Sequence, residues 1–387
     1  MTRALGFSTL VYADATDEMD WIGSRDSWNE LDKGAIGNFA NEFADDQFKY
    51  TAEARYVADQ AIVRLEGFDK AGTLASRADL MRSYIYGAII YSSIADQYDD
   101  FAFSNKTVAA APVGRANMGR LYDTSVGYLD KALAIATSNS DKYTILALRA
   151  RAKHGKGAWA KVTPKGTAAP SNPLVNDAGA VADATAAIAL AAPDATVDLI
   201  NNVEATAGTN IWYEVNGRNE SAPGKVYVVD PTGTTNKYVA AIKDPISGTA
   251  DPRMQARLTA FKAFGTTAGT LWITSTRELR LILAEAALAS GNTAEFTTQI
   301  NTVRALDGKP AFAGQIANQD MLVYERQIQL WLMRRRLIDM ARFGIKDPKW
   351  TSNASYDNLF SSTGLLFPIA NVERQANPCI ADATKCK

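Results

Sequence analysis

The stretch TRELRLILAEAALASGNTAEFTTQINTVRA, residues 276–305, decides the fold class of this chain. Its first half repeats apolar residues three and four positions apart, which places them on one face of a helix. Gly291 and Asn292 interrupt the pattern, and glycine at a helix end readily takes the left-handed conformation that reverses the chain. A second periodic run passes through Phe296, Ile300, Val303 and Leu306. The stretch therefore predicts a helical hairpin.

A third helix is predicted downstream, in the segment NQDMLVYERQIQLWLMRRRLIDMARF at residues 318–343. Its apolar residues again keep a helical period. Gly344 and Pro348 end it, because glycine favours helix termini and proline cannot continue a helix. Stacked helix pairs are typical of tetratricopeptide repeats. We therefore expect an all-α fold of tetratricopeptide-like helix pairs, with long loops and a small irregular β-containing insertion.

Five short motifs follow one another in the C-terminal part of the chain. They are ELRLILAEA at 278–286, INTVR at 300–304, ERQIQL at 325–330, RLIDMAR at 336–342 and LFPIANVERQANP at 366–378. In this order they resemble SusD/RagB-like proteins, and the resemblance covers about residues 28–378. It implies a SusD-like fold in a glycan-binding lipoprotein on the extracellular face of the cell outer membrane. It also implies a partner, a TonB-dependent (SusC-like) outer-membrane transporter that receives the oligosaccharide.

The resemblance is imperfect on the third predicted helix. Where SusD/RagB-like proteins usually carry two glutamates, this chain has Gln329 and Met333, and Arg334 stands at a usual glycine. These departures bear on the local salt-bridge network, and much less on the fold.

We expect one SusD-like unit over residues 1–387, built in three parts. Residues 28–193 are predicted to form an N-terminal helical-repeat scaffold. Residues 194–274 are rich in Gly, Asn, Thr and Pro, which predicts an irregular loop-rich insertion carrying the candidate ligand face. Residues 275–387 form the C-terminal helical part and tail. The predicted scaffold helices span 28–65, 77–98, 119–136, 143–159 and 175–190, and strand-like pieces of the insertion lie at 225–229 and 238–242.

Charge and motif content exclude several classes of protein. With 41 basic and 42 acidic residues the formal net charge is −1, so no strong field favours nucleic acid. No apolar run reaches the ~18 residues that a membrane span requires. The sequence has neither a phosphate-binding loop motif nor the spacing of a metal site, so we expect no cofactor and no metal.

The first residues allow two interpretations. Arg3, the run from Ala4 to Ala13 and then Ala15 have the pattern of a short signal peptide, but Ser8, Thr9 and Tyr12 break the apolar stretch. The favoured interpretation is the end of a folded helix, with an export signal and a lipid-bearing cysteine located upstream of the given sequence.

The cysteines Cys379 and Cys386 lie close together near the C-terminus. In an oxidising compartment they are expected to form a disulfide that closes a small loop. The alternative is two free thiols on a mobile end.

Aromatic residues of the loops are the candidates for ligand contact. A sugar presents an apolar face and a rim of hydroxyls, so its site combines flat rings with hydrogen-bonding side chains. Trp212, Tyr213, Asn216 and Arg218 provide this combination within seven residues. Further candidates are Tyr227, Tyr238 and Trp272 in the insertion, and Tyr98 with Phe101 after the second helix. The alternative is that these rings pin the irregular region to the scaffold.

Charged residues of the C-terminal helices are assigned structural roles. Glu278 and Glu285 are seven residues apart, which puts both on one helix face. Their predicted partners are Arg304, Arg336 and Arg342, with Asp339 in the same network. At least one arginine of the run 334–336 is expected to point inward and clamp a carboxylate, as bidentate guanidinium geometry favours.

The single histidine and the N-terminal acidic cluster are predicted to be exposed to solvent, without a catalytic or metal-binding role. His154, the single histidine, lies among basic residues, so it is predicted to be solvated, and no catalytic triad is supported. The cluster Asp14, Asp17, Glu18 and Asp20 lacks the spacing of a calcium loop and predicts a solvated turn. Glycoside hydrolysis would need two carboxylates ~5–10 Å apart in a cleft, and nothing marks such a pair. We expect no enzyme.

Two functions remain after these exclusions. The first is non-catalytic binding of a glycan or related nutrient at the cell surface, followed by delivery to the transporter. The second is a structural or assembly role, as an adaptor or the subunit of an extracellular polymer, because helical-repeat surfaces readily bind other chains and support self-assembly.

Overall fold

The computed structural model describes residues 1–162, 169–201, 211–231, 237–266 and 269–386. Helices dominate these ranges, and their strands form two small two-stranded sheets. The predicted mainly helical fold with a small β-containing part is confirmed.

The elements have the following bounds. The α-helices are α1 (Thr2–Asp14), α2 (Asp26–Asp32), α3 (Glu42–Lys70), α4 (Arg77–Gln97), α5 (Arg120–Ile135), α6 (Asn139–Lys161), α7 (Ala178–Ile188), α8 (Pro252–Ala263), α9 (Thr276–Ala289), α10 (Thr293–Ala305), α11 (Asn318–Gln329), α12 (Arg336–Phe343) and α13 (Asn371–Ala376). The strands are β1 (Met19–Trp21), β2 (Thr196–Asn201), β3 (Ser221–Pro223) and β4 (Gly269–Ser275).

Consecutive helices pack as neighbours along the scaffold. Helix α4 packs against α3 and α5, α6 packs against α5 and α7, and α9 packs against α10. Polar side chains at the starts of several helices accept hydrogen bonds from backbone N–H groups that would otherwise lack a partner. Gly291 has φ +78° between α9 and α10, so the predicted hairpin turns where the sequence indicated.

One sheet joins the insertion to the N-terminal part of the chain, and the other pairs the two ends of the insertion. Strand β1 pairs antiparallel with β3, with Asp20 opposite Ala222. Strand β2 pairs antiparallel with β4, with Leu199 opposite Leu271. The two strand-like pieces at 225–229 and 238–242 meet in a single bridge between Val228 and Ala240.

Three helix boundaries differ from the sequence predictions. The predicted helix 28–65 is two helices, α2 and α3, separated by a turn in which Gly34 has φ +79°. Helix α3 continues past residue 65, the predicted end, to Lys70. Helix α8 was not predicted, because it lies inside a segment rich in Gly, Asn, Thr and Pro that was interpreted as irregular.

The predicted third C-terminal helix is also two helices, α11 and α12. Residues 330–335 break it, and Leu332 (φ +59°) and Arg334 (φ +58°) take the left-handed conformation. That conformation is unfavourable for residues other than glycine, so the surrounding contacts must stabilise it. The backbone N–H of Leu332 donates to Glu18 Oε1 at 2.7 Å, so the break is held from outside the helix.

Helix α1 lies in the core, as the folded-helix interpretation of the first residues predicts. From Ala4 to Asp14 its residues are buried. Its contacts come from the other end of the chain: Arg334 Nη1 donates to Thr9 Oγ1 at 2.9 Å, and Trp350 Nε1 donates to the Ala15 carbonyl at 3.2 Å. The first and last parts of the chain therefore share one core.

Glu278 anchors a buried network of arginines. Arg151 Nη1 donates to both of its carboxylate oxygens at 2.6 and 2.5 Å, and Arg335 Nε donates to Oε1 at 3.4 Å. Burial raises the pKa of Glu278, but Arg151 and Arg335 more than offset it, so the pKa lies below its usual value. Glu278 thus takes partners other than the three predicted arginines.

Glu285 has one of its predicted partners, Arg342. Both guanidinium ends of Arg342 bind the carboxylate, and Asp339 accepts from Arg326 Nε at 2.8 Å beside it. His154 Nε2 lies 3.0 Å from Glu285 Oε2. The histidine is buried, which corrects its predicted solvation. Burial raises the pKa of Glu285, but Arg342 and His154 reverse this, and the pKa lies well below the usual range.

The other two predicted arginines serve carboxylates outside α9. Arg304 donates to Asp244 Oδ2 at 2.9 Å and to Glu325 Oε1 at 2.7 Å. Arg336 forms a bidentate pair with Asp17: Nε donates to Oδ1 at 2.8 Å, and Nη2 donates to Oδ2 at 2.6 Å. The region around the third predicted helix is therefore rich in ion pairs, despite the departures at Gln329, Met333 and Arg334.

The N-terminal acidic cluster is buried, which corrects the predicted solvated turn. Each member is at most 7% exposed: Asp14, Asp17, Glu18 and Asp20. Lys349 replaces solvent there, since its Nζ donates to Asp20 Oδ1 at 2.5 Å and to Asp32 Oδ1 at 2.7 Å. Side chains from the C-terminal part thus supply the positive charge that the local sequence lacks.

Two further features concern the chain end and the membrane. A disulfide joins Cys379 and Cys386. Among the helices of the described ranges, none combines the length and the apolar character needed to cross a bilayer.

Candidate functional site

A cavity of about 290 Å³ opens between the β2–β4 sheet, α8 and the adjoining ends of α9 and α11. We call it the Trp272 pocket, because Trp272 is the predicted ligand residue that lines it. Its other lining residues are Asp194, Thr196, Asp198, Arg253, Ala256, Arg257, Ala260, Thr274, Ser275, Arg277, Asp307, Gln329 and Met333. The pocket combines one large ring with several charged and amide groups.

Trp272 faces the pocket because side chains alternate between the two faces of strand β4. Successive side chains of a strand point to opposite faces. Leu271 and Ile273 are buried in the core, whereas Trp272 between them is only partly buried. The rings of Phe264 and Trp331 lie 6.1 and 6.3 Å from Trp272, so the indole packs against two aromatic neighbours.

Helix α8 contributes Arg257. Asp251 caps this helix by accepting from the Arg253 backbone N–H at 2.9 Å, and Pro252 at the first helical position has the required φ. One turn after Arg253, Arg257 lies over the Trp272 ring, with its guanidinium carbon 5.3 Å from the ring centroid. Burial, with Arg277 nearby, lowers the pKa of Arg257 to about 10, so the group remains charged at neutral pH.

Gln329, the last residue of α11, supplies an amide to the pocket. It is 1% exposed, and its backbone carbonyl accepts from Arg257 Nη2 at 2.6 Å. Its side-chain Oε1 accepts from Arg277 Nη1 at 3.3 Å. Within the described part of the chain, its Nε2 is a buried donor without a hydrogen-bond partner. Such a donor is unfavourable unless something fills the pocket and accepts its hydrogen bond.

Arg277 organises the acidic side of the pocket. It donates to Asp194 through Nε at 2.5 Å and Nη2 at 2.7 Å, and to Asp307 Oδ1 at 3.1 Å. The bond from Arg277 lowers the pKa of Asp194. Asp198 lacks such a partner in the described ranges, and burial raises its pKa, while Thr196 Oγ1 donates to it at 2.6 Å. The pocket therefore offers both donors and acceptors.

The predicted cluster around Trp212 folds inward. Trp212 is 1% exposed and packs edge-on against Phe264 at 5.7 Å, so the expectation of a displayed ring is corrected. Asn216 Nδ2 donates to the Gly265 carbonyl at 2.8 Å, which fastens this turn to α8. Arg218 pairs with Glu214 at 3.3 Å. Tyr213 is partly buried at the start of the same π-helical turn.

The remaining predicted rings are also mostly internal. Tyr98 and Phe101 are at most 1% exposed and pack on Phe48, with ring centroids 5.5 and 4.7 Å away. Tyr227 is fully buried beside Trp331, and Tyr238 is 9% exposed. These four rings stabilise the core or hold the insertion on it, which was the stated alternative.

Sequence reasoning missed Arg257 and Gln329. The signal for Arg257 was present, because Asp251 and Pro252 form a helix start and Met254 with the following apolar residues keeps a helical period. For Gln329 the departure from the usual glutamate was noticed, but its place in a pocket depends on α8 and β4, which are distant in sequence.

Comparisons with known proteins complete the description. No protein family profile matches the chain. No curated protein matches it either. Solved structures do match over nearly the whole length, all at low sequence identity.

Three of these structures are representative. A SusD superfamily protein from Bacteroides vulgatus superposes with a TM-score of 0.63 at 14% identity, over 96% of this chain and 92% of that chain. A SusD superfamily protein from Bacteroides fragilis gives 0.62 at 14% identity, over 97% and 92%. A SusD-like carbohydrate binding protein from Bacteroides vulgatus gives 0.57 at 12% identity, over 96% and 91%. Across almost its entire length, this chain has the fold of the SusD superfamily.

Proposed function

We propose that this protein binds a glycan or a related nutrient in the Trp272 pocket and does not cleave it. The observation that carries the proposal is the unpartnered Nε2 donor of Gln329 beside the Trp272 ring. A sugar hydroxyl would accept from this donor while the apolar face of the sugar packs on the indole.

The pocket chemistry suits a neutral sugar. Arg257 and Arg277 line the pocket together with the aspartates Asp194, Asp198 and Asp307, while the third arginine, Arg253, is paired with Asp251 and Glu325. Guanidinium groups donate only and carboxylates accept only, so together they can serve the hydroxyls around a sugar ring. The volume of about 290 Å³ lies at the lower end of ligand pockets, which fits one sugar unit at the end or side of a longer chain.

The fold supports the same proposal. One structure with this fold is described as a SusD-like carbohydrate binding protein. Together with the motif resemblance, this supports capture of an oligosaccharide at the extracellular face of the outer membrane. It also supports hand-over to a TonB-dependent (SusC-like) transporter as the next step.

Titration calorimetry with a panel of neutral and acidic oligosaccharides tests the binding step. Trp272→Ala is expected to weaken the affinity for the best ligand at least tenfold, which corresponds to ~1.4 kcal/mol. Gln329→Glu keeps the size and the acceptor for Arg277 but removes the free donor, so it should weaken binding ~2- to 12-fold.

Phe360→Ala provides the matched control, because Phe360 is 47% exposed and does not line the pocket. This variant should bind as the wild type does. Equal binding by Trp272→Ala and the wild type would remove the pocket from the proposal. Release of reducing sugar ends during the titration would show hydrolysis and contradict the non-catalytic assignment.

A further inference from the structure

A second, much smaller cavity lies in the interior, where α4, α5 and α6 meet β4 and the break between α11 and α12. Its volume is about 20 Å³. We call it the Arg334 chamber; its lining residues are Ala88, Ile89, Ser92, Ser93, Asp96, Ser125, Leu148, Arg151, Ile273 and Arg334. Polar cavities of this size have room for one water molecule or one small ion.

The charges around the chamber do not cancel. Three buried guanidinium groups meet there, on Arg151, Arg334 and Arg335. Two buried carboxylates face them: Glu278 pairs with Arg151 and Arg335, and Asp96 pairs with Arg335 at 2.7 Å. The cluster therefore carries one positive charge in excess.

Arg334 carries the uncompensated charge. It is 3% exposed, and its Nη1 donates to the neutral Thr9 hydroxyl at 2.9 Å. Among the residues that the structure describes, no carboxylate forms an ion pair with it, although Arg151 and Arg335 both do so with others. Burial, together with Arg151, lowers the pKa of Arg334 to about 9, so it is still protonated at neutral pH.

The opposite wall of the chamber is made of hydroxyls. Ser92 donates to Ser125 Oγ at 2.8 Å, and Ser125 donates in turn to the Ala88 carbonyl at 2.9 Å. Ser93 also lines the cavity and is 5% exposed. Ser92 and Ser125 use their hydroxyl protons on protein acceptors, so the donors left for a small anion in the chamber are the Ser93 hydroxyl and the Arg334 guanidinium.

We propose that the Arg334 chamber binds one monovalent anion, which is chloride in physiological salt. A single water would satisfy hydrogen bonds but would leave the excess charge uncompensated, and a buried unpaired charge is strongly unfavourable. A halide neutralises the cluster and accepts from Arg334. Bound there, it fixes the backbone of residues 330–335, where Arg334 has φ +58° and Met333 forms part of the Trp272 pocket.

Anomalous diffraction from crystals soaked in bromide tests the site directly. The expected result is a bromine peak inside the chamber beside Arg334. Absence of a peak there, with bromide visible at other sites of the same crystal, would overturn the proposal. This measurement uses the wild-type protein, so it does not depend on the folding of any variant.

Thermal unfolding in sodium chloride and sodium gluconate at equal ionic strength gives the second test. At a chloride concentration one hundred times its Kd, the Tm should rise by roughly 3 °C over gluconate. Arg334→Met should abolish this difference, whereas Arg82→Met, which removes an exposed arginine of α4, should retain it. Equal Tm values of the wild type in the two salts, or a retained difference in Arg334→Met, would contradict an anion at this site.

Discussion

Replacement of Glu18 by glutamine should make the protein more stable at alkaline pH. Glu18 is 1% exposed, and within the described residues its Oε2 has no hydrogen-bond partner. Burial, with Asp17 nearby, raises its pKa to about 8, despite the bond from the Leu332 N–H and the charge of Arg336. In Glu18→Gln, the amide oxygen can still accept from Leu332, while the charge is gone at every pH.

The size of the effect follows from proton linkage. A carboxyl with a folded-state pKa of about 8 and an ordinary value of 4.5 keeps its proton in the folded protein after the unfolded chain has lost it. The unfolded state then binds fewer protons, so the free energy of unfolding falls as pH rises through this window. At ~1.4 kcal/mol per pKa unit the full loss is ~5 kcal/mol, of which ~4 kcal/mol falls between pH 5 and pH 9.

Urea unfolding of the wild type and Glu18→Gln at pH 5, 7 and 9 measures this loss. The advantage of the variant should grow with pH by ~4 kcal/mol, with unchanged dependence on urea concentration. Glu295→Gln on the exposed side of α10 is the control, and it should stay within ~0.5 kcal/mol of the wild type. A variant advantage that is constant from pH 5 to pH 9 would show that Glu18 is ionised in the fold and refute the argument.

Two other substitutions test the buried ion pair of Glu285 and the disulfide of the C-terminal tail. Glu285→Gln leaves two buried arginines, Arg326 and Arg342, with the single carboxylate of Asp339, so unfolding by urea should show a loss of ~3–5 kcal/mol; a loss under ~1 kcal/mol would mean that Asp339 compensates both arginines. Joint replacement of Cys379 and Cys386 by serine should increase the rate of amide hydrogen exchange in the tail. The disulfide lowers the entropy of the unfolded tail and so stabilises its folded form by ~2–3 kcal/mol. Sugar affinity should not change, and unaltered exchange near Cys379 would show that packing alone holds the tail.

Helical periodicity predicted the framework well, because each helix carries its own pattern. The α9–α10 hairpin and the glycine between them could be placed from local sequence alone. The break between α11 and α12 could not, since the apolar period continues through residues 330–335. What opens the helix there is the bond from Leu332 to Glu18, a residue 314 positions away in sequence.

For the ion pairs, too, the local sequence predicted which side chains point inward but not which distant residues they contact. The inward direction of Glu278 and Glu285 followed from their spacing on α9, but their partners did not, since Arg151 is 127 positions from Glu278. The ligand candidates were harder still. Trp212 and Trp272 sit in similar polar surroundings in the sequence, and only the alternation of β4 and the position of α8 separate a core ring from a pocket ring.

The burial of α1 bears on how the chain is made. Arg336 binds Asp17 across 319 positions, and Arg334 reaches Thr9 across 325. A ribosome adding ~5–20 residues per second needs roughly 15–65 seconds to reach these partners after the first helix has emerged. During that interval the nascent helix exposes an apolar surface, so synthesis should require a chaperone or another holding factor until Arg334 and Arg336 have been added.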